Sequence, residues 1–249
     1  MELGKIIGRG NTASVYEWDE DTIVKLFYRE YPIDAVLKEY KNTIFLEEAI
    51  FLYPRVHGLI RENQQNGIIY DRITGDTILE RLLHSRDITK DIYCYGKIFV
   101  HTHKRILENS IPDLSSYKES LTTWIMRGPG TKEEKERICE EIQQLPDGEG
   151  LCHGDYHPGN VMIQEKQVFV IDMMNLCKGP AMYDIARTYY LICESELPDE
   201  LKENKEFIDM RALLGEYYLR GMGIKEEEIK KYLNYIMLAR EGEVSPILE

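Results

Sequence analysis

The sequence is poor in the features that would place it in a membrane, in a disulfide-stapled scaffold or on nucleic acid. No apolar run approaches the roughly 18 residues that a membrane-crossing helix requires. The opening stretch, MELGKIIGRG, has no basic region followed by an apolar segment, so no secretory leader is expected there. The five cysteines, Cys94, Cys139, Cys152, Cys177 and Cys193, are odd in number and scattered, with no C-x-x-C pair. They read as reduced thiols of a cytoplasmic protein, not as a disulfide framework or a zinc site. Positive charge is scarce as well. The formal net charge of −13 disfavours nucleic acid as a main partner, because phosphate backbones are held mostly by Lys and Arg. An acidic balance permits a cationic acceptor, although its first meaning is solubility. No internal repeat or low-complexity stretch is present.

What remains is a chain of 249 residues, 43% hydrophobic and 30% charged, ample for one large domain or for two lobes sharing a cleft. Its character changes near residue 75. Up to that point short strand-like runs alternate with turns: Leu3 to Ile7, Ser14 to Trp18 and Thr22 to Phe27, then Arg55 to Arg61 and Gly67 to Ile73. Between them Pro32 opens a helical pattern expected to run to about Leu52. Beyond residue 75 the pattern is mainly helical. Asp87 is placed to cap one helix, a second is expected over Tyr117 to Met126, and Thr131 with Glu134 forms a capping-box pattern for a third. Two amphipathic helices are expected at about Asp199 to Arg220 and Lys225 to Ala239.

The most informative stretch is Leu151-Cys152-His153-Gly154-Asp155-Tyr156-His157-Pro158-Gly159-Asn160-Val161-Met162-Ile163, followed by Val168-Phe169-Val170-Ile171-Asp172. Apolar β runs on either side would hold the polar loop on a rigid frame. Phosphoryl transfer needs a carboxylate to orient a hydroxyl and take its proton, oxygen ligands for Mg²⁺, and a cation on the phosphates. The spacing Asp-x-x-x-x-Asn offers Asp155 as the base and Asn160 as a metal ligand from one loop. Asp172 adds a second, charged ligand. Taken singly, Asp155 and Asn160 would be turn or cap residues. His153 and His157 alone would suggest zinc, but no third ligand set lies near.

His153-Gly154-Asp155-Tyr156-His157-Pro158-Gly159-Asn160, Ile171-Asp172 and Tyr183-Asp184-Ile185-Ala186-Arg187 together resemble the aminoglycoside phosphotransferase and choline kinase superfamily of small-molecule kinases. The resemblance implies an α+β, two-lobed protein-kinase-like fold, with a β-rich nucleotide-binding lobe over residues 1–72 and a larger helical lobe over 73–249. It also implies ATP, or GTP, as donor and Mg²⁺ as cofactor. It makes Asp184 a buried brace for the catalytic loop and His153 a loop-orienting residue, not a proton carrier.

The donor side follows from the first residues. Gly8 and Gly10 sit between two strand-like runs, where glycine lets backbone N–H groups approach phosphates. Ala13 stands where protein kinases usually have a third glycine, and an ordinary hairpin turn is the plain alternative. Lys25, amid apolar strand residues, takes the phosphate-binding position and needs a partner if buried. Glu39, Glu47 and Glu48 are candidates. Glu39 is favoured, with a solvent-facing Glu39 the alternative. Around Asp71 and Ile73 the chain resembles an interlobe hinge, whose backbone C=O at Asp71 and N–H at Ile73 would hold the adenine edge.

Three features favour a small hydroxylated acceptor over a protein. Gly154 replaces an arginine that many protein kinases use to read a phosphorylated loop. Only eleven residues separate Asp172 from Asp184, too few for a peptide-docking segment. His157 stands where protein kinases usually have lysine, just after a helical insert. The insert's Glu133, Glu134, Glu136, Glu140 and Glu141 read first as a solvated helix face and second as a lure for a polycation. The open alternatives are a catalytically inactive nucleotide-binding module and a protein kinase.

Overall fold

Alternating burial builds the first part of the chain, up to Asp71. In the computed structural model, which describes residues 3–197 and 199–244, β1 (Ile6–Arg9), β2 (Ala13–Glu17), β3 (Thr22–Phe27), β4 (Val56–Glu62) and β5 (Gln65–Asp71) form an antiparallel sheet in the order β1-β2-β3-β5-β4. β3 lies at its centre, with Lys25 opposite Val15 on β2 and Ile68 on β5. Side chains alternate across a strand. Val24 and Leu26 therefore take one face, while Lys25 and Phe27 share the face covered by α1 (Ile33–Ile44). There Phe27, Val36, Ile68 and Tyr70 make a small core.

α1 is shorter than the sequence pattern suggests. It stops at Ile44, and the chain continues in tight turns, with hydrogen bonds from the N–H of Leu46 to Thr43, Glu47 to Ile44 and Ala49 to Leu46. The apolar residues after Ile44 keep a helical rhythm, but Leu46 and Phe51 belong to a different core. Leaving the helix turns both into the larger half of the molecule, and Leu46 is fully buried there.

That half contains β6 (Asp76–Thr77), α2 (Ile78–Leu83), α3 (Ile88–Leu107), α4 (Tyr117–Arg127), α5 (Lys132–Gln143), β7 (Gly150–Cys152), β8 (Val161–Gln164), β9 (Gln167–Val170), β10 (Cys177–Gly179), α6 (Ala181–Tyr189), α7 (Lys205–Met222) and α8 (Glu226–Val244). The expected caps are present. Asp87 accepts from the Lys90 N–H, and Thr131 and Glu134 close their reciprocal pair. The last helices depart from their expected bounds, and α8 runs on to Val244, past the expected end at about Ala239. α6 runs on into a π-helical turn over Tyr190–Glu194. α7 begins at Lys205, because the Asn204 side chain caps it there, and Asp199 lies in a separate 3₁₀ turn. α7 runs two residues past the expected Arg220 and ends at glycine: Gly223 takes φ +76°, a left-handed cap that L side chains resist. Among the described residues no helix is long and apolar enough to cross a membrane.

The functional frame is made by two small β units. β7 pairs with β10, and β8 with β9, all antiparallel. Residues 153–160 bridge β7 to β8, and Asp172 lies two residues past the end of β9. The polar loop foreseen from its apolar flanks thus hangs between two strands, β7 and β8, each pinned by an antiparallel partner.

Candidate active site

Lys25 reaches across from the sheet. Its Nζ lies 2.8 and 3.0 Å from the two carboxylate oxygens of Glu39 on α1, and 3.1 Å from Oδ1 of Asp172. Glu39 is 1% exposed, and its Oε1 also accepts from the Tyr70 hydroxyl at 2.8 Å. Burial works against the Lys25 ammonium, yet Asp172 and Glu39 raise its pKa above the ordinary lysine value. Burial holds the Glu39 carboxyl above its ordinary value, against the opposing pull of Lys25. At these distances the pair is an ion pair, Lys⁺ with Glu⁻. Glu47 and Glu48 are exposed on the turns beyond α1.

Asp172 has φ +66°, a left-handed conformation that Asp tolerates better than most residues. Burial opposes its charge, but the neighbouring Lys25 holds its carboxyl below the ordinary value. The next turn is tied to the sheet side of the molecule. The Asn42 amide on α1 donates to the carbonyls of Met173 (2.9 Å) and Met174 (3.1 Å). Nothing local in the sequence points to Asn42, apart from a polar side chain sitting mid-helix and needing a partner if buried.

Asp155 and Asn160 meet. Asn160 Nδ2 donates to the Asp155 carbonyl (2.9 Å) and approaches its carboxylate Oδ2 (3.3 Å). With the NH₂ so engaged, Asn160 keeps Oδ1 as the oxygen that can face a cation. The Ile171 N–H donates to the Asn160 carbonyl at 3.0 Å, which joins the loop to the residue preceding Asp172. His157 Nε2 stands 3.9 Å from Asp155 Oδ2, and the Gly159 N–H donates to its Nδ1.

His153 is fully buried, and burial lowers its pKa, so it is neutral near pH 7. Its Nδ1 accepts the Asp155 N–H (3.2 Å), which leaves Nε2 to donate to the Ile171 carbonyl (3.2 Å). It orients the loop, as the resemblance implied. Asp184 braces the same loop from α6. Its carboxylate accepts the backbone N–H groups of His153 (2.7 Å) and Gly154 (2.8 Å), and His103 Nε2 lies 2.9 Å away. The other ring nitrogen of His103 meets the Tyr218 hydroxyl at 2.7 Å, so His103 is part of this support.

Removing that brace has a calculable consequence. Asp184→Ala strands two buried backbone donors and should cost on the order of 3–5 kcal/mol, read as a lower urea midpoint. Burial opposes the Asp184 charge, but hydrogen bonds from His103 and Gly154 lower its pKa below 3.8. A depressed carboxyl adds stability above its unfolded value and loses it as pH falls through the folded one. The wild type should therefore lose this contribution below about pH 4. The variant should show a shallower loss over the same range.

On the donor side, Gly8 lies within β1 opposite Val15 and Gly10 lies in the turn before β2, where the Gly10 N–H donates to the Ala13 carbonyl (2.9 Å) and its own carbonyl accepts from the Tyr28 hydroxyl (2.9 Å). Asp71 closes β5, its carboxylate held by His57 Nε2 (2.7 Å) and the Arg55 N–H (2.9 Å). Ile73 follows, half-buried.

Lys25, the carboxylates of Asp172 and Asp155 and the Asn160 amide thus lie on one linked network. The sequence profile of the phosphotransferase enzyme family matches residues 4–214. The chain belongs to this family.

Solved structures similar to this phosphotransferase share its fold at low identity. An aminoglycoside-3'-phosphotransferase of type VIII is 16% identical with a TM-score of 0.64, over 97% of this chain and 93% of that one. A thermostable mutant of aminoglycoside phosphotransferase APH(4)-Ia, in ternary complex with AMP-PNP and hygromycin B, is 12% identical with a TM-score of 0.62, over 96% and 83%. Aminoglycoside phosphotransferase APH(3'')-Id from Streptomyces rimosus, in complex with ADP and streptomycin, is 15% identical with a TM-score of 0.58, over 91% and 90%. No curated protein sequence matches the chain. These likenesses agree with the two-lobed α+β fold expected from the motifs.

Proposed function

We propose that this phosphotransferase moves the terminal phosphoryl group of ATP to a hydroxyl of a small molecule. One observation carries the reading: Asp155, Asn160, Asp172 and Lys25 stand on a single network of contacts of 3.3 Å or less, joined through the backbone between Asn160 and Ile171. In this reading Asp155 orients the acceptor hydroxyl and takes its proton. Lys25, aligned by Glu39, holds the donor phosphates. Asn160 Oδ1 and the Asp172 carboxylate suit Mg²⁺, a hard cation that needs few protein oxygens because phosphates and water complete its shell. Bound there, Mg²⁺ would neutralise charge developing on the phosphates. The backbone near Gly8 and Gly10 would approach the phosphates, and the Asp71 C=O and Ile73 N–H would take the adenine edge. GTP is the alternative donor.

A small acceptor is supported by the short path from Asp172 to Asp184 and by the small molecules named with the similar structures. Three of the five acids of α5 are already engaged within the helix. Glu134 is spent in the cap, Glu136 pairs with Lys132 and Glu141 with Arg137. The test is a screen with Mg²⁺-ATP against hydroxylated metabolites and aminoglycosides, with products read by mass spectrometry. Transfer to one acceptor class is expected. Transfer confined to proteins, or to nothing while nucleotide still binds, would overturn the proposal.

The glycines give a second test. A Cβ at Gly8 would come no nearer than 3.6 Å to Val15, and at Gly10 no nearer than 3.7 Å to Ala13, so the hairpin itself tolerates a methyl. Gly10→Ala should leave the melting temperature unchanged and raise KM for ATP about tenfold, the worth of one charge-assisted hydrogen bond.

A further inference from the structure

Gly154, immediately before Asp155, is held on both sides of its peptide unit. Its N–H goes to Asp184, and its carbonyl accepts from Arg187 Nε at 3.0 Å. It takes φ +73°, and a Cβ there would stand 2.3 Å from the Asn175 carbonyl oxygen. The residue that sets the direction of Asp155 thus has little room to move, provided Arg187 stays where it is.

Arg187 is wholly buried, with its guanidinium 5.2 Å from the Trp124 ring centroid. A guanidinium keeps its charge in any protein environment, so a buried one needs an anion. That anion is Glu243, in the last turn of α8, which accepts from Arg187 Nη2 and, through its other oxygen, from Arg240 at 2.8 Å. Arg187 Nη1 has no partner among the described residues, so the carboxylate of Glu243 carries the pairing. The preceding residue shows that this delivery is built in. A Cβ at Gly242 would lie 1.8 Å from the Trp124 carbonyl oxygen and 2.6 Å from the Gly128 nitrogen. Only glycine lets the end of α8 press against the end of α4 closely enough to bring Glu243 onto Arg187.

We propose that Glu243 is a positioning residue of this phosphotransferase: through Arg187 it fixes the Gly154 carbonyl, and with it the direction of Asp155. The end of the last described helix is then part of the catalytic frame, 88 positions along the chain from the residue it aligns. The rate arm of the test rests on the phosphotransfer reading, and the exchange arm stands apart from it.

The experiment compares wild type, Glu243→Gln and Glu243→Asp by amide hydrogen exchange and by steady-state kinetics. Glu243→Gln keeps the shape and removes the charge. Amides 153–155 should exchange at least about tenfold faster in it, while the β2–β3 amides remain as in wild type. With an acceptor in hand, kcat should fall up to about 100-fold with KM for ATP unchanged, the signature of a displaced group and not of lost binding. Glu243→Asp, which keeps the charge, should recover much of both. Unchanged exchange at 153–155 in folded Glu243→Gln would overturn the proposal. So would exchange raised uniformly across both lobes, the mark of a merely structural role. A wild type that transfers no phosphate would instead count against the proposed function and leave the exchange result to decide the role of Glu243.

Discussion

Asp155→Ala should lower phosphoryl transfer by about 10³-fold or more while leaving the protein folded and able to bind nucleotide. The size follows from what is lost. General-base assistance is worth about 10²–10⁴, and in the proposed role the same carboxylate would also aim the hydroxyl. The survival of the fold follows from how Asp155 is held. Its N–H goes to His153 and its carbonyl accepts from Asn160, and both bonds are made by the backbone, which alanine retains. Among the described residues the only hydrogen bond to its side chain is the 3.3 Å approach of Asn160 Nδ2. Lys25, Glu39 and Asp172 are untouched, so the Kd for ATP should stay within about threefold, less than the worth of one hydrogen bond. Calorimetry on the folded variant beside a rate assay separates the two effects. A variant that transfers phosphate at the wild-type rate would remove Asp155 from the chemistry.

What could be read from the sequence, and what could not, divides by chain distance. The loop from His153 to Asn160 and the strand leading to Asp172 were legible because their geometry is local: a fixed spacing between apolar runs admits few conformations. That Lys25 needs an acid was legible because it sits in an apolar strand, but that need left Glu39, Glu47 and Glu48 open, and Glu39 was singled out by the resemblance of Leu37-Lys38-Glu39-Tyr40 to the family. The length of α1 was not, since the rhythm of apolar residues continues past Ile44 even though Leu46 and Phe51 serve another core. The anchoring of Met173 and Met174 by Asn42 and the meeting of Arg187 with Glu243 join positions 131, 132 and 56 residues apart. Neither pairing has a local pattern to betray it. Arg187 was visible as part of a motif, but its partner depends on Gly242 allowing two helices to touch.

Asp172→Asn should be nearly as damaging to turnover as Asp155→Ala, by a different route. Asparagine is one of the few residues at ease with φ +66°, so the backbone turn after β9 survives and the change isolates the charge. Lys25 keeps its two contacts to Glu39, so the lysine remains paired within the sheet half. What disappears is an anionic oxygen for a divalent cation, worth several kcal/mol of charge stabilisation, or about 10³-fold in rate. A magnesium titration of the rate should need far more metal to saturate in this variant than in wild type, with a lower plateau. Asp172→Ala should match the loss in rate and also melt earlier, because a β-carbon without a polar group at positive φ costs about 1–2 kcal/mol. Equal melting temperatures for the Asn and wild-type proteins, together with a shifted metal requirement, would assign the effect to the ligand oxygen. An Asn variant with wild-type metal dependence and rate would show that the cation is held elsewhere, and would leave Asp172 only as a partner of Lys25.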